Sequence, residues 1–442
     1  MNVAASLLSL VEDSLGLTLP IRVRAWDGSE AGVPGAPVVV IRSKRALRHV
    51  MWQPGELGVA RAYVQGDLDV EGDLGDGLRA MWDAVRDARV ADPDAGRPRI
   101  GPKQVARAAA LALRLGLVGR RPPAPDAESN LTGELHSKER DQAAISHHYD
   151  LSNDFYELIL DPNMAYSSGF HVTPGMTLEE AQTAKLHLVC RKLGLRPGMK
   201  MVDIGSGWGS LTLFAAEHYG VHVTGVTLSV EQRDYVLGRA AERGLADRVD
   251  VSLRHFRDLE ASGVHDDDID AIASIEMGEH VGDEEYVVFV DSIHRYLKPG
   301  GRALIQQMSR SNDAPGDRPG GGPFIETYIA PDMHMKPLAK TIGLIAASGL
   351  EIRDVQAMRE HYPQTVAGWA ERLEDRWDAA VKLIGEENAR VWRLYLVGVA
   401  LAFEEYRMGV VQILAVKPSA RGVSGMPSSP LAWLPGADRI DR

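Results

Sequence analysis

From about residue 200 the chain keeps one pattern: a short run of β-branched and aliphatic residues, usually followed by a stretch with helical periodicity. The runs are MVDIGSG, HVTGVTL, RVDVSLRH, DIDAIASI and GRALIQQMS. Strands separated by helices cannot pair through tight hairpins, so each connection crosses over. The result is a largely parallel sheet with helices on its faces. The first run leads into Gly205, Ser206, Gly207, Trp208 and Gly209, and then into LTLFAAEHYG, which has helical composition. Glycines at that junction let the backbone turn sharply and approach a ligand with no Cβ in the way.

The spacing G-x-G-x-G differs from the G-x-G-x-x-G of dinucleotide-binding folds. The next strand runs into VTGVTLSVEQ, which offers Thr227 and Gln232 where nicotinamide folds usually place an acid for ribose. After the third strand comes RHFRDL, whose Phe256 could lie against an adenine. Together these features favour S-adenosylmethionine over a nicotinamide cofactor. Asp203 serves either to brace the loop or to meet an ammonium group.

A length of 442 residues allows two domains with substantial cores. The formal net charge of −12 argues against general nucleic-acid binding, whose affinity comes from neutralising phosphates. The single cysteine, Cys190, cannot form an internal disulfide, and no zinc-type ligand cluster accompanies it, so no metal is expected. No stretch has the ~18–20 apolar residues of a spanning helix. The start MNVAASLLSLVEDSLGL lacks the basic segment of a signal peptide. The expectation is a cytoplasmic protein whose membrane contact, at the inner face, is peripheral.

Residues 1–125 mix strand-like runs (IRVRAW, PVVVIRS) with helical ones and form a first domain. Residues 126–145 read as a linker, and 146–442 as the second domain. Between Arg97 and Pro125 lie seven basic residues and no acid. The segment VARAAALALRLGLVG combines a broad apolar surface with Arg107 and Arg114, and Arg120 and Arg121 follow it. Such a helix suits either a solvated face or an anionic membrane surface. SNDAPGDRPGGGP (311–323) has the composition of a loop or flap.

At this point the chain resembles the cyclopropane-fatty-acid synthase family of S-adenosylmethionine-dependent methyltransferases. The resemblance rests on HHYDLSNDFY, LDPNMAYSSGF, LEEAQTAKLHLVCRKLGLRPGMKMVDIGSGWG, VTGVTLSVEQ, SIEMGEHVG, LKPGG and YLVGVALAFEEYRMG, with PGELGVARAYVQGDLDVEGDL in the N-terminal part. It implies a class I, Rossmann-like α/β core with a seven-stranded sheet, plus a smaller N-terminal α+β lipid-binding domain that supports a homodimer. It also implies that Tyr149, Tyr166 and Ser167 hold the methionine end of the cofactor. Gly205 and Gly207 would pass beside it, Thr227 and Gln232 would bind near the ribose, and His255 and Phe256 would flank the adenine. The implied substrate is a cis double bond in the acyl chain of a phospholipid.

Two departures bear on the product. Cyclopropane-forming members usually have cysteine at Ser168 and histidine at Gln306. With residues matching Glu279 and Tyr395, these line a bicarbonate pocket, so the changes weigh against bicarbonate here. Glu276 stands where many cyclopropane synthases have glycine. The pattern is closer to the branch that makes 10-methylene-stearoyl chains on the tuberculostearate pathway, which would imply a reductase partner. Glu276, Glu279 and Tyr395 are candidates to stabilise a carbocation or take its proton. His280 is expected to orient neighbours, and Gln306 and Ser168 to line the pocket. The alternatives are a cyclopropane-fatty-acyl-phospholipid synthase and an inactive lipid-binding protein with the same fold.

Overall fold

The computed structural model describes residues 2–92, 96, 101–129, 133, 137, 138, 140, 141, 152–311 and 320–433. The chain divides into two compact units. The first is Met1–Glu128 with Gly385–Gly398; the second is Ser129–Ile384 with Val399–Arg442.

In the first unit, α1 (Val3–Leu15), β1 (Arg22–Ala25), β2 (Glu30–Gly32), β3 (Val38–Ile41), α2 (Lys44–Trp52), α3 (Glu56–Val64), β4 (Leu68–Glu71), α4 (Leu74–Ala91) and α5 (Pro102–Leu115) follow in order. The sheet order is β2-β1-β3-β4, with β1 and β3 parallel and the outer pairs antiparallel. Val3, Leu7 and Leu8 of α1 meet Val23, Ile41, Ala112 and Leu115 in one core. Pro102 stands in the first turn of α5 and Gly116, at φ 67°, ends it; these are the residues that favour a helix start and stop. The expected linker begins folded, because Glu128 makes a two-pronged ion pair with Arg61 at 2.6 and 2.8 Å. Segment 385–398 joins this unit through Arg390, which donates to the carbonyls of Tyr63 (2.6 Å) and Leu68 (3.0 Å).

The second unit contains α6 (Asn153–Ile159), α7 (Leu178–Leu193), β5 (Lys200–Ile204), α8 (Ser210–Tyr219), β6 (His222–Thr227), α9 (Val230–Glu242), β7 (Val249–Leu253), β8 (Ile269–Ile275), α10 (Asp283–Tyr296), β9 (Leu297–Arg310), α11 (Pro323–Tyr328), β10 (Lys336–Pro337), α12 (Leu338–Ala347), β11 (Glu351–Ala357), α13 (His361–Asp375) and β12 (Met408–Val416). Helix α14 (Trp377–Glu404) is broken at Gly385, where φ is 78°, and passes through both units. Seven strands run β11-β12-β9-β8-β5-β6-β7, and the two-residue β10 adds beside β9. The pairs among β7, β6, β5, β8 and β9 are parallel; β12 is antiparallel to both its neighbours. The central strands are buried on both faces, which is why they read as unbroken aliphatic runs. The chain leaves β5 toward β6 on one side and later returns as β8 on the other. That reversal opens a crevice at the carboxyl ends of the strands.

Candidate active site

A cavity of about 170 Å³ occupies that crevice, and every residue lining it belongs to the second unit. Its floor is the loop after β5. Gly205 and Ser206 donate to the carbonyl of Val226 at 3.0 Å each, which ties the loop to the end of β6. Gly205 has φ 81°, and a Cβ there would lie 2.8 Å from the Met277 side chain. Gly207, also on the wall, has φ 52°, and a Cβ there would meet nothing within 4 Å. The first glycine is demanded by packing and backbone conformation. The second keeps open the space a ligand needs.

Behind the loop, Asp203 accepts a hydrogen bond from Thr212 Oγ1 at 2.7 Å. Burial pushes its carboxyl up to about 6, against the pull of Thr212 and Lys185. At the end of β6, Thr227 Oγ1 donates to Gln232 Oε1 at 2.7 Å, and the Ser229 hydroxyl caps α9 through the Gln232 amide. Both Thr227 and Gln232 line the cavity. His255 and Phe256 lie with ring centroids 4.3 Å apart on the same wall, and a ring nitrogen of His255 is 3.2 Å from Asp141.

The opposite wall comes from the segment after α6. Asp161 accepts the backbone N–H groups of Asn163 and Ala165, fixing a turn in which Met164 has φ 57°. Tyr166 then packs on Trp369 at 5.2 Å, and Ser167 Oγ lies 2.9 Å from Lys185 Nζ. Trp208 is anchored by its Nε1 to Asn153. Tyr149 lies outside the described residues, as does 312–319 of the expected flap.

Glu276, just past β8, forms the third wall. It holds φ 51°, uncommon for a residue with a side chain. Its Oε1 accepts from the Ser168 backbone N–H (2.9 Å) and Gln306 Nε2 (2.7 Å), and its Oε2 from the Tyr362 hydroxyl (2.7 Å). Gln306 is itself oriented by Gln412 Nε2 at 2.9 Å. Burial pushes the Glu276 carboxyl above the usual range, while these donors pull it back.

The structure departs from expectation at four residues. Ser168 and Gln306 do not line the cavity. The Ser168 hydroxyl turns to the carbonyl of Gly169, and what serves the site is its backbone N–H. Gln306 stands behind Glu276. Glu279 is fully buried off the wall, its Oε2 without a hydrogen-bond partner among the described residues. Burial and the neighbouring Glu276 push its carboxyl well above the usual range, which favours the neutral acid. Tyr395 lies in segment 385–398 of the first unit, edge-on to Trp392 at 5.5 Å, so this cavity is built without it. His280 does line the cavity.

Lys185, Gln182 and Tyr362 were not anticipated. The signal for the first two was a polar pair three residues apart on the otherwise apolar face of LEEAQTAKLHLVCRKL. Tyr362 carried no such signal.

The glycine loop, the Thr227 and Gln232 pair, the Phe256 wall and the open space at Gly207 fit S-adenosylmethionine. They do not extend that fit to bicarbonate. The Ser168 N–H, the Gln306 amide and the Tyr362 hydroxyl are all engaged by Glu276, and another anion would face the Glu276 carboxyl on that wall. No cluster suited to a metal ion occurs among the described residues.

Fold and cavity together define a methyltransferase that uses S-adenosylmethionine. Residues 136–413 match the family described as mycolic acid cyclopropane synthetase, and the chain belongs to that family. A probable fatty acid methyltransferase of Pseudomonas putida is 35% identical over 93% of this chain and 95% of its own. The tuberculostearic acid methyltransferase UfaA1 of Mycobacterium tuberculosis is 29% identical over 89% of this chain and 87% of its own. The crystal structure of the mycolic acid cyclopropane synthase CmaA1 complexed with SAH and CTAB superposes with a TM-score of 0.57 and 32% identity, covering 62% of this chain and 97% of that one.

Proposed function

We propose that this protein methylates the cis double bond of an oleoyl-type chain in phospholipid and leaves the added carbon as a 10-methylene branch. The observation that carries this reading is Glu276: a carboxylate held by three donors on the cavity wall, where many cyclopropane synthases have glycine. The names of the relatives, fatty acid and tuberculostearic acid methyltransferases, support the substrate class.

The cofactor supplies an electrophilic methyl group. With the cofactor bound, the alkene π electrons would form the new carbon–carbon bond as the bond from that methyl to sulfur breaks and S-adenosylhomocysteine leaves, placing a cation on the neighbouring chain carbon. A hydride shift moves the cation to the methylated carbon, and loss of a methyl proton to a base closes the C=CH₂ bond. Glu276 is placed to stabilise the cation and take that proton, and Tyr166 and the wall around it keep water out. Glu279, largely neutral behind it, would limit the negative charge concentrated there. Without the hydride shift, loss of the methyl proton would close a cyclopropane, the second reading.

The exposed Arg114, Arg120 and Arg121, with exposed Leu113 and Val118 near them in sequence, would meet anionic headgroups at the inner membrane face. Arg107 is instead ion-paired with Asp13 of α1. No helix among the described residues is long and apolar enough to cross a membrane. A homodimer and a reductase that saturates the methylene complete the proposal.

The test is incubation with methyl-labelled cofactor and dioleoyl phospholipid vesicles, followed by mass spectrometry of the acyl chains. A 10-methylene product supports the reading. A cyclopropane overturns the branch assignment, and cofactor binding without any lipid product favours an inactive lipid-binding protein.

A further inference from the structure

Lys185 is a buried cation that the proposed chemistry does not use. It sits in the middle of α7, 1% exposed, yet on the cavity wall. Burying an ammonium group is costly unless its protons find partners. Among the described residues it makes one hydrogen bond, to Ser167 Oγ at 2.9 Å. An ammonium has three N–H donors, so two remain. Gln182, one turn earlier on the same face, clamps the carbonyls of Ser167 (2.7 Å) and Ala165 (3.3 Å). Helix α7 thus fixes the wall segment through Gln182 and aims a cation at the cavity through Lys185. Burial pulls the Lys185 ammonium below the ordinary lysine range, and Glu276, Asp161 and Asp203, at longer range, pull the other way and favour the charged form.

We propose that Lys185, with the Ser167 hydroxyl it holds, recognises the carboxylate of the cofactor's amino-acid end. Asp203, on the same cavity wall, is the matching anion for an ammonium group. An α-amino acid zwitterion presents both charges a few atoms apart, and this wall presents their complements. The inference rests on the cofactor being S-adenosylmethionine.

The test is calorimetric binding of S-adenosylhomocysteine and of its decarboxylated analogue, 5′-deoxy-5′-(3-aminopropylthio)adenosine, to the full chain and to K185M. A charge-assisted hydrogen bond lost at one end predicts about 10–100-fold weaker binding of S-adenosylhomocysteine by K185M, with the analogue changed less than about threefold. Equal weakening of both ligands would show that Lys185 only braces the wall and would overturn the proposal, as would no weakening of either. If K185M does not fold, K185Q keeps a donor for Ser167 and is read by the same ratio. Failure of the wild-type protein to bind either ligand would instead refute the cofactor assignment.

Discussion

The Tyr362 hydroxyl donates to Glu276 across 2.7 Å, joining a residue of α13 to one just past β8, 86 positions away in the chain. The pairing gives the carboxylate its third donor and leaves its partly open edge to the cavity.

Tyr362→Phe should lower kcat/KM about tenfold, the loss expected of one hydrogen bond to a charged group. The ring would keep its edge contacts with Trp369 and Phe403. Glu276 must be ionised to accept a proton, and its carboxyl already lies above the usual range. Activity should therefore rise with pH through that elevated value, and removing the phenol should move this limb to higher pH. A pH–rate profile of both proteins checks it; an unmoved limb removes Glu276 from the role of base.

Asp203 predicts a stability effect of definite sign. Its carboxyl is ordinary in the unfolded chain and pushed up to about 6 in the folded one. The proton is thus bound more tightly in the folded state. Its contribution is fully present below pH ~4 and is lost as pH rises through ~6, costing about 3 kcal/mol above that. Asp203→Asn should raise the denaturation midpoint at pH 7.5 and bring little gain at pH 4, while weakening cofactor binding. Chemical denaturation at the two pH values decides it.

Two ion pairs and a hydrogen bond hold Lys138, Arg140 and Asp141, and of these residues and their partners Asp141, His255 and Asp332 line the cofactor cavity. Arg140 grips Asp332 at 2.8 and 2.9 Å, Lys138 meets Asp258 at 2.7 Å, and Asp141 faces His255 at 3.2 Å. The Arg140 pair is the more enclosed of the two ion pairs, with Asp332 side chain exposure of 6%. Asp332→Asn should weaken cofactor binding about fivefold, roughly 1 kcal/mol, with kcat little changed. Calorimetry with the unreacted cofactor reads the effect directly, and unchanged affinity would show that the Arg140–Asp332 pair does not serve binding.

Replacing Arg114, Arg120 and Arg121 with glutamine should cut partitioning onto anionic vesicles about 100-fold, since each cation near such a surface contributes about 1 kcal/mol. Arg107→Gln should change it far less, because Arg107 is already paired with Asp13. Vesicle sedimentation at low and moderate salt distinguishes the two, and equal effects would refute the pairing of Arg107 with Asp13 of α1.

What could be anticipated followed from local physics. The parallel strands are buried on both faces, so their aliphatic runs announce them, and Gly205 and Gly207 mark a loop whose conformation needs glycine. Helix α5 shows its end at Gly116. The contacts that organise the site are different in kind. Ser168 acts through its backbone N–H, which any residue but proline would supply, so the side chain misdirects. Tyr362 and Gln306 meet Glu276 only because the sheet and α13 bring distant segments together. Glu279 looks much like Glu276 as a letter; burial raises both carboxyls, and what sets Glu276 apart is the pull of Ser168, Gln306 and Tyr362, which come from distant parts of the chain. A helical pattern across 377–404 gives no sign that the stretch beyond Gly385 belongs to the first unit.

That stretch has a consequence for how such a protein could be assembled or taken apart. Arg390 supplies donors to Tyr63 and Leu68 and lies 4.3 Å over the Tyr63 ring. A fragment ending near residue 125 would keep those carbonyls and lose the guanidinium that completes them. The amino-terminal portion is therefore not a detachable cassette: shuffling or truncation that ignores the distant insert yields an incomplete piece, and the two halves must be inherited together.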